Sequence, residues 1–304
     1  MTGAGEAAAR AGGEGTRRKP SGEAANRAGG EGTRHVKLAV LGDPLRYTRS
    51  PDLHRAGCAA LGLSCESVAL RTPVEELGPT LARLGAEGYT GCNLTMPLKE
   101  PALAWVRGAS AAARRARSVN TIRFGAGPDE PFGETTDGAG CVDLLREHGR
   151  EPATSTITLL GAGGAARSLA LAIAEAGGRP VRVVSRHEPE PADAWGGRLG
   201  ERWSAWGTAA AERAMAGSDV VIHCTPLAGN EFPVALRLLP RHGLIVDLVY
   251  GEAPTPWVAA ARAAGLDAVD GLELLAHQAR YSFRCWFGRD VPLEALRAAA
   301  REGT

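Results

Sequence analysis

Residues 156–187 read TITLLGAGGAARSLALAIAEAGGRPVRVVSRH: a strand, a tight glycine turn, a helix and a second strand ending on Ser185-Arg186. No other stretch restricts the fold as strongly. Strand, glycine turn and helix in that order open a dinucleotide-binding βαβ unit. Residues 156–160 are rich in β-formers and suit a buried parallel strand. Gly161 permits the turn out of the strand, and Gly163 lets the backbone approach a pyrophosphate. Gly164 and Ala166 keep the helix start small against strand and ligand. The helix N-terminus then presents N–H groups and a positive dipole end to phosphates. Leu169, Ala170, Ile173 and Ala174 recur at helical spacing and are expected to face a sheet. Gly177-Gly178 stop the helix, and 181–184 form the next strand.

The tip of that second strand selects the nucleotide. An NAD site usually places Asp or Glu there for the ribose hydroxyls. Here the tip is Ser185-Arg186-His187. Arg186 can pair with a 2′-phosphate and stack on adenine, so NADP is the expected cofactor. Glu188 follows closely and can accept from a ribose hydroxyl instead.

The chain has 304 residues, room for two domains of ordinary size. A net charge of +1 argues against a dedicated nucleic-acid surface. The six cysteines form no CxxC and no metal-like cluster with the histidines, so no metal is expected. Unpaired thiols read as a reduced cytoplasmic protein. No apolar run reaches transmembrane length, so no membrane partner is expected. Residues 1–34 carry almost nothing to bury, and AGGEGTR occurs at 11–17 and again at 28–34. That duplication predicts a disordered low-complexity tail without the apolar core of a secretory signal.

Strand and helix alternate from residue 35 onward, which predicts an α/β fold in two domains. Strands are expected at 37–41, 65–70, 91–95 and 119–124. Helices are expected at 50–61, with Ser50 as cap and Pro51 at the first position, and at 74–84, 99–106 and 110–116. The stretch 125–133 reads as a turn. A helix from Asp137 or Gly138 to His148 crosses into the nucleotide unit. Beyond Arg186 come a polar segment, helix 208–216, strands 219–223 and 244–247, helix 256–264 and strand 267–269. A helix starting at Gly271 is expected to return to the first domain, followed by an amphipathic helix at 292–300. The predicted domains are 35–137 for substrate and catalysis, 138–270 for the nucleotide, and 271–304 as helices completing the first.

Polar residues gather where strands end before the glycine loop: Thr48 and Ser50, then Asn93, Thr95 and Lys99, then Asn120 and Thr121, then Thr136 and Asp137. In open α/β sheets such ends line the ligand crevice. Hydroxyls suit a carboxylate, asparagines suit ring hydroxyls, and Lys99 with Asp137 suits proton transfer. Taken singly, these are turn, cap and surface residues more often than ligands.

Eight segments in order then resemble shikimate dehydrogenase and its quinate/shikimate dehydrogenase relatives. They are GDPLRYTRSPDLH at 42–54, NLTMPLK at 93–99, SVNT at 118–121, TTDGAG at 135–140, GAGGAARS at 161–168, CTPLAG at 224–229, DLVYGEAPTPW at 247–257 and GLELLAHQARYSFRCWFG at 271–288. The resemblance implies reversible reduction of 3-dehydroshikimate to shikimate with NADPH, acting on a small cyclic hydroxy acid, in a monomer or homodimer. It implies Lys99 and Asp137 as the catalytic pair. Thr48 and Ser50 would bind the substrate carboxylate. Asn93, Thr95, Asn120 and Asp137 would surround the ring hydroxyls, with Tyr250 and Gln278 completing the pocket. For the nucleotide it implies Gly161, Ala162, Gly163, Gly164, Ala165, Ser185, Arg186, His187, Thr225, Leu248 and Gly271.

Five positions depart from the family pattern. Tyr47-Thr48 stands for His-Ser, Thr135 and His223 each stand for Asn, and Leu274 stands for Met. Thr48 keeps a hydroxyl but adds a methyl. These departures leave open quinate or aminoshikimate as substrate, with NAD or NADP, and a non-catalytic dinucleotide-binding paralogue.

Overall fold

The computed structural model describes residues 34–45, 47–189, 195, 202–227 and 234–302. The predicted tail therefore lies outside the described residues except for Arg34, and so does the end of the CTPLAG segment. The described chain builds two six-stranded sheets.

The first sheet holds β1 (His35–Gly42), β2 (Ser64–Arg71), β3 (Gly91–Leu94), β4 (Gly108–Ala109), β5 (Thr121–Arg123) and β6 (Phe132–Glu134) in the order β2-β1-β3-β5-β6-β4. Strands β2, β1 and β3 run parallel, and β5 turns antiparallel to β3. Two core layers cover it. One sets Leu77 and Leu84 of α2 (Leu77–Ala86) on Leu41 and Ile122. The other packs Val36 and Leu38 of β1 and Leu53 of α1 (Ser50–Ala60) against Phe283 and Trp286. Strands β4 and β6 are two and three residues long. They carry too few residues for an alternation to register, which is why 125–133 read only as a turn.

The second sheet is wholly parallel: β7 (Ile157–Leu160), β8 (Arg182–Ser185), β9 (Trp203–Ala205), β10 (Val220–His223), β11 (Leu244–Asp247) and β12 (Asp267–Val269), in the order β12-β11-β10-β7-β8-β9. The chain leaves β7 toward β8 on one side and returns through β10 on the other. The crevice at the ends of β7 and β10 is thus the topological switch point, where such sheets bind ligands. The glycine turn follows β7 there. Gly161 has φ +114°, which only glycine adopts without strain. On α5 (Gly164–Glu175), Leu169, Ala170 and Ile173 join the core as expected. Ala174 is only half-buried, and it is Ala172 that packs there, because α5 also lies against α4 (Asp137–Glu147).

Two local expectations change, and one holds. Ser50 is the first residue of α1 and not its cap. Arg49 takes the cap position, and the Ser50 N–H donates to Thr48 Oγ1 at 3.2 Å. The stretch after Lys99 is a turn and a short 3₁₀ segment at Pro101–Ala104, because Pro101 has no N–H to continue an α-helix. The helix from Gly271 runs to Phe287 as α8. It does return to the first sheet, through Leu272, Leu275, Ala276, Ala279 and Phe283. Its Leu274 sits instead in the core of the second sheet.

Close helix packing fixes where α4 stands. A Cβ on Gly138 would lie 2.3 Å from the Ser168 carbonyl oxygen, and one on Gly140 2.7 Å from the Gln278 nitrogen. The glycines after Asp137 therefore let α4 touch α5 on one side and α8 on the other. Gly164 has a similar reason: a Cβ there would lie 3.0 Å from Ser118 Oγ. Its smallness serves the contact with the SVNT segment.

Candidate active site

The ends of β1 and β3 from one sheet and of β10 and β11 from the other line a single cleft of about 380 Å³. That volume suits a small molecule. All nine residues predicted for substrate and catalysis line it: Thr48, Ser50, Asn93, Thr95, Lys99, Asn120, Asp137, Tyr250 and Gln278. On the facing wall stand Ala165, Thr225, Leu248 and Gly271. Gly161, Ala162, Gly163, Gly164, Ser185, Arg186 and His187 lie outside this cleft lining. The lining also includes Asp43, Met96, Cys224 and Val249, which lie within the quoted segments but carry no role in the sequence reading. They are the neighbours of motif residues at strand ends, and only the fold turns them inward.

At the floor, Lys99 Nζ donates to Asp137 Oδ2 at 2.7 Å. Asp137 is 9 % exposed and Lys99 18 %. Asn120 Nδ2 donates to the other Asp137 oxygen at 2.8 Å, to Thr136 Oγ1 at 2.9 Å and to Gln278 Oε1 at 3.2 Å. Thr136 donates its hydroxyl to Gln278 Oε1 at 2.7 Å and its N–H to Asn120 Oδ1. The Gln278 oxygen is thereby committed to protein, which leaves its NH₂ for a ligand. Beside this floor, Glu100 pairs with Arg167 of α5 at 2.7 Å and Arg117 at 3.0 Å, tying the Lys99 turn to the nucleotide lobe.

At the other end of the cleft the Tyr250 hydroxyl shares the lining with the Thr48 and Ser50 hydroxyls. Burial pushes this phenol above its usual range, while the Thr48 and Ser50 hydroxyls pull the other way. The net effect keeps a proton on the oxygen. Three hydroxyls without a cation then suit a carboxylate that needs donors but little charge. Tyr47 stacks edge-on to Tyr250, ring centres 6.1 Å apart, and closes that end.

Asn93 differs from its predicted role. Its Nδ2 donates to the Asn120 carbonyl, Thr121 Oγ1 and Ser282 Oγ, at 3.1, 2.9 and 3.1 Å. Its Oδ1 accepts from His54 Nε2 at 2.9 Å. The amide is consumed by the protein, so only a lone pair of Oδ1 remains for substrate. His54 in turn accepts from Ser67 Oγ at 2.7 Å through Nδ1. Burial pulls its pKa down to about 4, against the hydrogen bond it donates to Asn93, which raises it.

This gives a pH prediction. The unfolded chain protonates His54 near its ordinary value of 6.5, whereas the folded chain refuses the proton until about pH 4. Stability is therefore full above pH 6.5 and falls as pH drops toward 4, by up to about 3 kcal/mol. Urea midpoints should fall less between pH 7 and pH 5 in His54→Gln than in the parent chain. Equal falls would remove His54 as the cause.

Among the nucleotide-side residues, Arg186 and His187 are exposed at the end of β8, next to exposed Glu188. Ser185 is not free to meet a ligand in the same way. Its hydroxyl donates to the His187 carbonyl at 2.6 Å and accepts from Trp203 Nε1 at 3.0 Å, so it shapes the loop. The Gly163 cap of α5 has no side-chain partner, and a Cβ there would meet nothing within 4 Å. An uncapped helix N-terminus beneath open space fits a pyrophosphate. All six cysteines are free thiols, and among the described residues no helix is long and apolar enough to cross a membrane.

Comparison with known proteins gives a consistent picture. Residues 40–122 match the family described as Shikimate dehydrogenase substrate binding domain, and residues 271–301 match Shikimate 5'-dehydrogenase C-terminal domain. Residues 156–251 match NADP oxidoreductase coenzyme F420-dependent. A shikimate dehydrogenase (NADP(+)) of Gluconobacter oxydans is 37% identical over 265 residues, covering 84% of this chain and 92% of its own. One from Acidiphilium cryptum is 38% identical over 258 residues, covering 84% and 91%. The crystal structure of Thermus thermophilus shikimate 5-dehydrogenase in complex with NADP(H) and shikimate superposes with a TM-score of 0.75 at 33% identity, covering 88% of this chain and 100% of that one.

Proposed function

The chain belongs to the shikimate dehydrogenase family, and we propose that it reduces 3-dehydroshikimate reversibly to shikimate with NADPH. The single observation that carries this reading is the Lys99–Asp137 pair at 2.7 Å on the floor of a cleft whose far wall belongs to the nucleotide-binding sheet. Residues 35–137 and 271–304 hold the substrate in this reading, and 138–270 hold the cofactor. Free thiols accord with a reducing, cytoplasmic setting.

NADPH, when bound, supplies hydride to the carbonyl carbon. The residues of this chain do the rest. Tyr250, Thr48 and Ser50 grip the carboxylate and set the ring's direction. Asp137, held by Asn120, accepts from a ring hydroxyl next to the carbonyl. Lys99 donates its proton to the carbonyl oxygen, so a ketone, a hydride and a proton give a secondary alcohol. Its ammonium also stabilises the negative charge that grows on that oxygen. In the reverse direction Lys99 takes the proton back. Gln278 NH₂ adds a donor to the ring hydroxyls.

Arg186 selects the cofactor. Exposed at the tip of β8, it can grip a 2′-phosphate in a bidentate pair. Arg186→Ala should raise the KM for NADP⁺ about 10-fold or more and leave that for NAD⁺ nearly unchanged. Equal changes for both would take the phosphate away from Arg186. The reading as a whole is tested by initial rates with shikimate, quinate and aminoshikimate, each with NADP⁺ and NAD⁺. Shikimate with NADP⁺ should give the highest kcat/KM. A clear preference for quinate or the amine would replace the substrate named here.

A further inference from the structure

His223 carries a network that the reaction above does not use. It ends β10, and Thr225 follows it into the cleft wall. His223 Nδ1 lies 2.8 Å from Asp247 Oδ1, and Nε2 lies 2.5 Å from Thr225 Oγ1. His223 and Asp247 are 1 % and 2 % exposed and do not reach the cleft. Asp247 is itself fixed: Oδ1 also accepts from the Val249 N–H at 2.9 Å, and Oδ2 accepts from Thr255 Oγ1 at 2.6 Å. Thr255 caps α7 (Pro256–Ala263) by accepting from the Val258 N–H. The Trp257 ring packs edge-on to His223.

With His223 as a neutral imidazole, the chemistry of these groups sets the direction of each hydrogen bond. A carboxylate oxygen only accepts, so His223 Nδ1 carries the hydrogen toward Asp247. In a neutral imidazole the other nitrogen is then an acceptor, and the Thr225 hydroxyl must donate to it. Thr225 has one hydroxyl hydrogen, and it is spent. One lone pair accepts weakly from the Leu227 N–H at 3.3 Å. The other is left for a ligand. Thr225 also abuts the glycine turn, since a Cβ on Gly161 would lie 2.8 Å from Thr225 Cγ2. Its methyl therefore meets the glycine turn, and the residue lines the same cleft as Lys99.

We infer that His223, held by Asp247, is a positioning residue that fixes Thr225 as a hydrogen-bond acceptor for the nicotinamide half of the dinucleotide. The donor it takes is an N–H of the carboxamide or an O–H of the adjoining ribose. This inference rests on the proposed dinucleotide reading of the cleft and adds a recognition element to it. An asparagine at position 223 is shorter, whereas the ring spans both partners.

The test measures binding, apart from turnover. Titrate NADPH, NADP⁺, its 3-acetylpyridine analogue and adenosine 2′,5′-bisphosphate by quenching of tryptophan fluorescence. Use the parent chain, Thr225→Val, Thr225→Ser and His223→Phe. Thr225→Val and His223→Phe should each weaken NADPH about 5-fold or more, as the loss of one oriented hydrogen bond implies. The bisphosphate, which lacks the nicotinamide half, should bind all four proteins alike, and Thr225→Ser should stay near the parent. If the parent chain binds the acetylpyridine analogue more weakly than NADP⁺, and Thr225→Val erases the difference, the donor is the carboxamide. If the analogue equals NADP⁺ in the parent while both variants still lose NADPH, the donor is the ribose. NADPH binding unchanged in Thr225→Val overturns the inference, as does an equal loss of the bisphosphate. Should the binding pattern hold while none of the three acids reduces NADP⁺, the proposed reaction falls and this inference stands.

Discussion

Replacing Lys99 with alanine should lower kcat for shikimate oxidation about 10²-fold or more, with little change in NADP⁺ affinity. Lys99 is the cation among the residues lining the cleft, and the remaining charged groups there are Asp43 and Asp137. Among the described residues of the lining, no other supplies a positive charge beside the alkoxide that the proposed reaction develops. Alanine also leaves Asp137, 9 % exposed, without its counter-charge. Some of the effect will therefore show as a raised substrate KM. The fluorescence titration with NADPH separates these terms, because Lys99 bonds to Asp137 while Gly161, Gly163 and Gly164 lie outside the cleft lining. A loss below about 10-fold would remove Lys99 from proton transfer.

Asp137→Asn should be nearly as damaging, with a fall in kcat of about 10²-fold and a rise in KM for shikimate. The substitution keeps size and shape but not direction. Asp137 accepts from Lys99 Nζ on one oxygen and from Asn120 Nδ2 on the other. An amide has one acceptor, so in either orientation its NH₂ faces a donor. The site must open or lose one of the two contacts. Because the pair acts as one unit, the double variant Lys99→Ala/Asp137→Asn should be scarcely slower than the slower single variant. Multiplying effects would mean that the two groups work independently.

Much of this was legible in residue order. The glycine turn after 156–160 was enough to locate β7, α5 and β8, because only glycine fits φ +114° at Gly161 and the helix pattern beyond it is clean. The polar residues at strand ends were also readable as a group, and the fold brings seven of those nine to one cleft, with Thr121 and Thr136 behind its lining. What they do to each other was not readable. Asn93 reads as a ligand residue, yet its amide is spent on Asn120, Thr121, Ser282 and His54, partners 27 to 189 positions away. Periodicity carries no information about such pairs. The glycines at 138 and 140 read as part of a motif, but their reason is the approach of α5 and α8. His223 read as a departure from the family and nothing more, since Asp247 and Thr255 meet it only after β10 and β11 pair. Strands β4, β6 and β9 escaped because tertiary pairing, not local pattern, makes them.

The central claim is that this cleft moves a hydride from NADPH to a cyclic ketone while Lys99 supplies the proton. Its most direct measurement is isotope transfer. Incubate the protein with 3-dehydroshikimate and NADPH fully deuterated at C4 of the nicotinamide, then read the product by mass spectrometry. Shikimate carrying a single deuterium on the carbon that bore the carbonyl is the predicted result, with Lys99→Ala forming it at about one hundredth of the rate or less. Absence of shikimate, or shikimate without deuterium, would contradict the account.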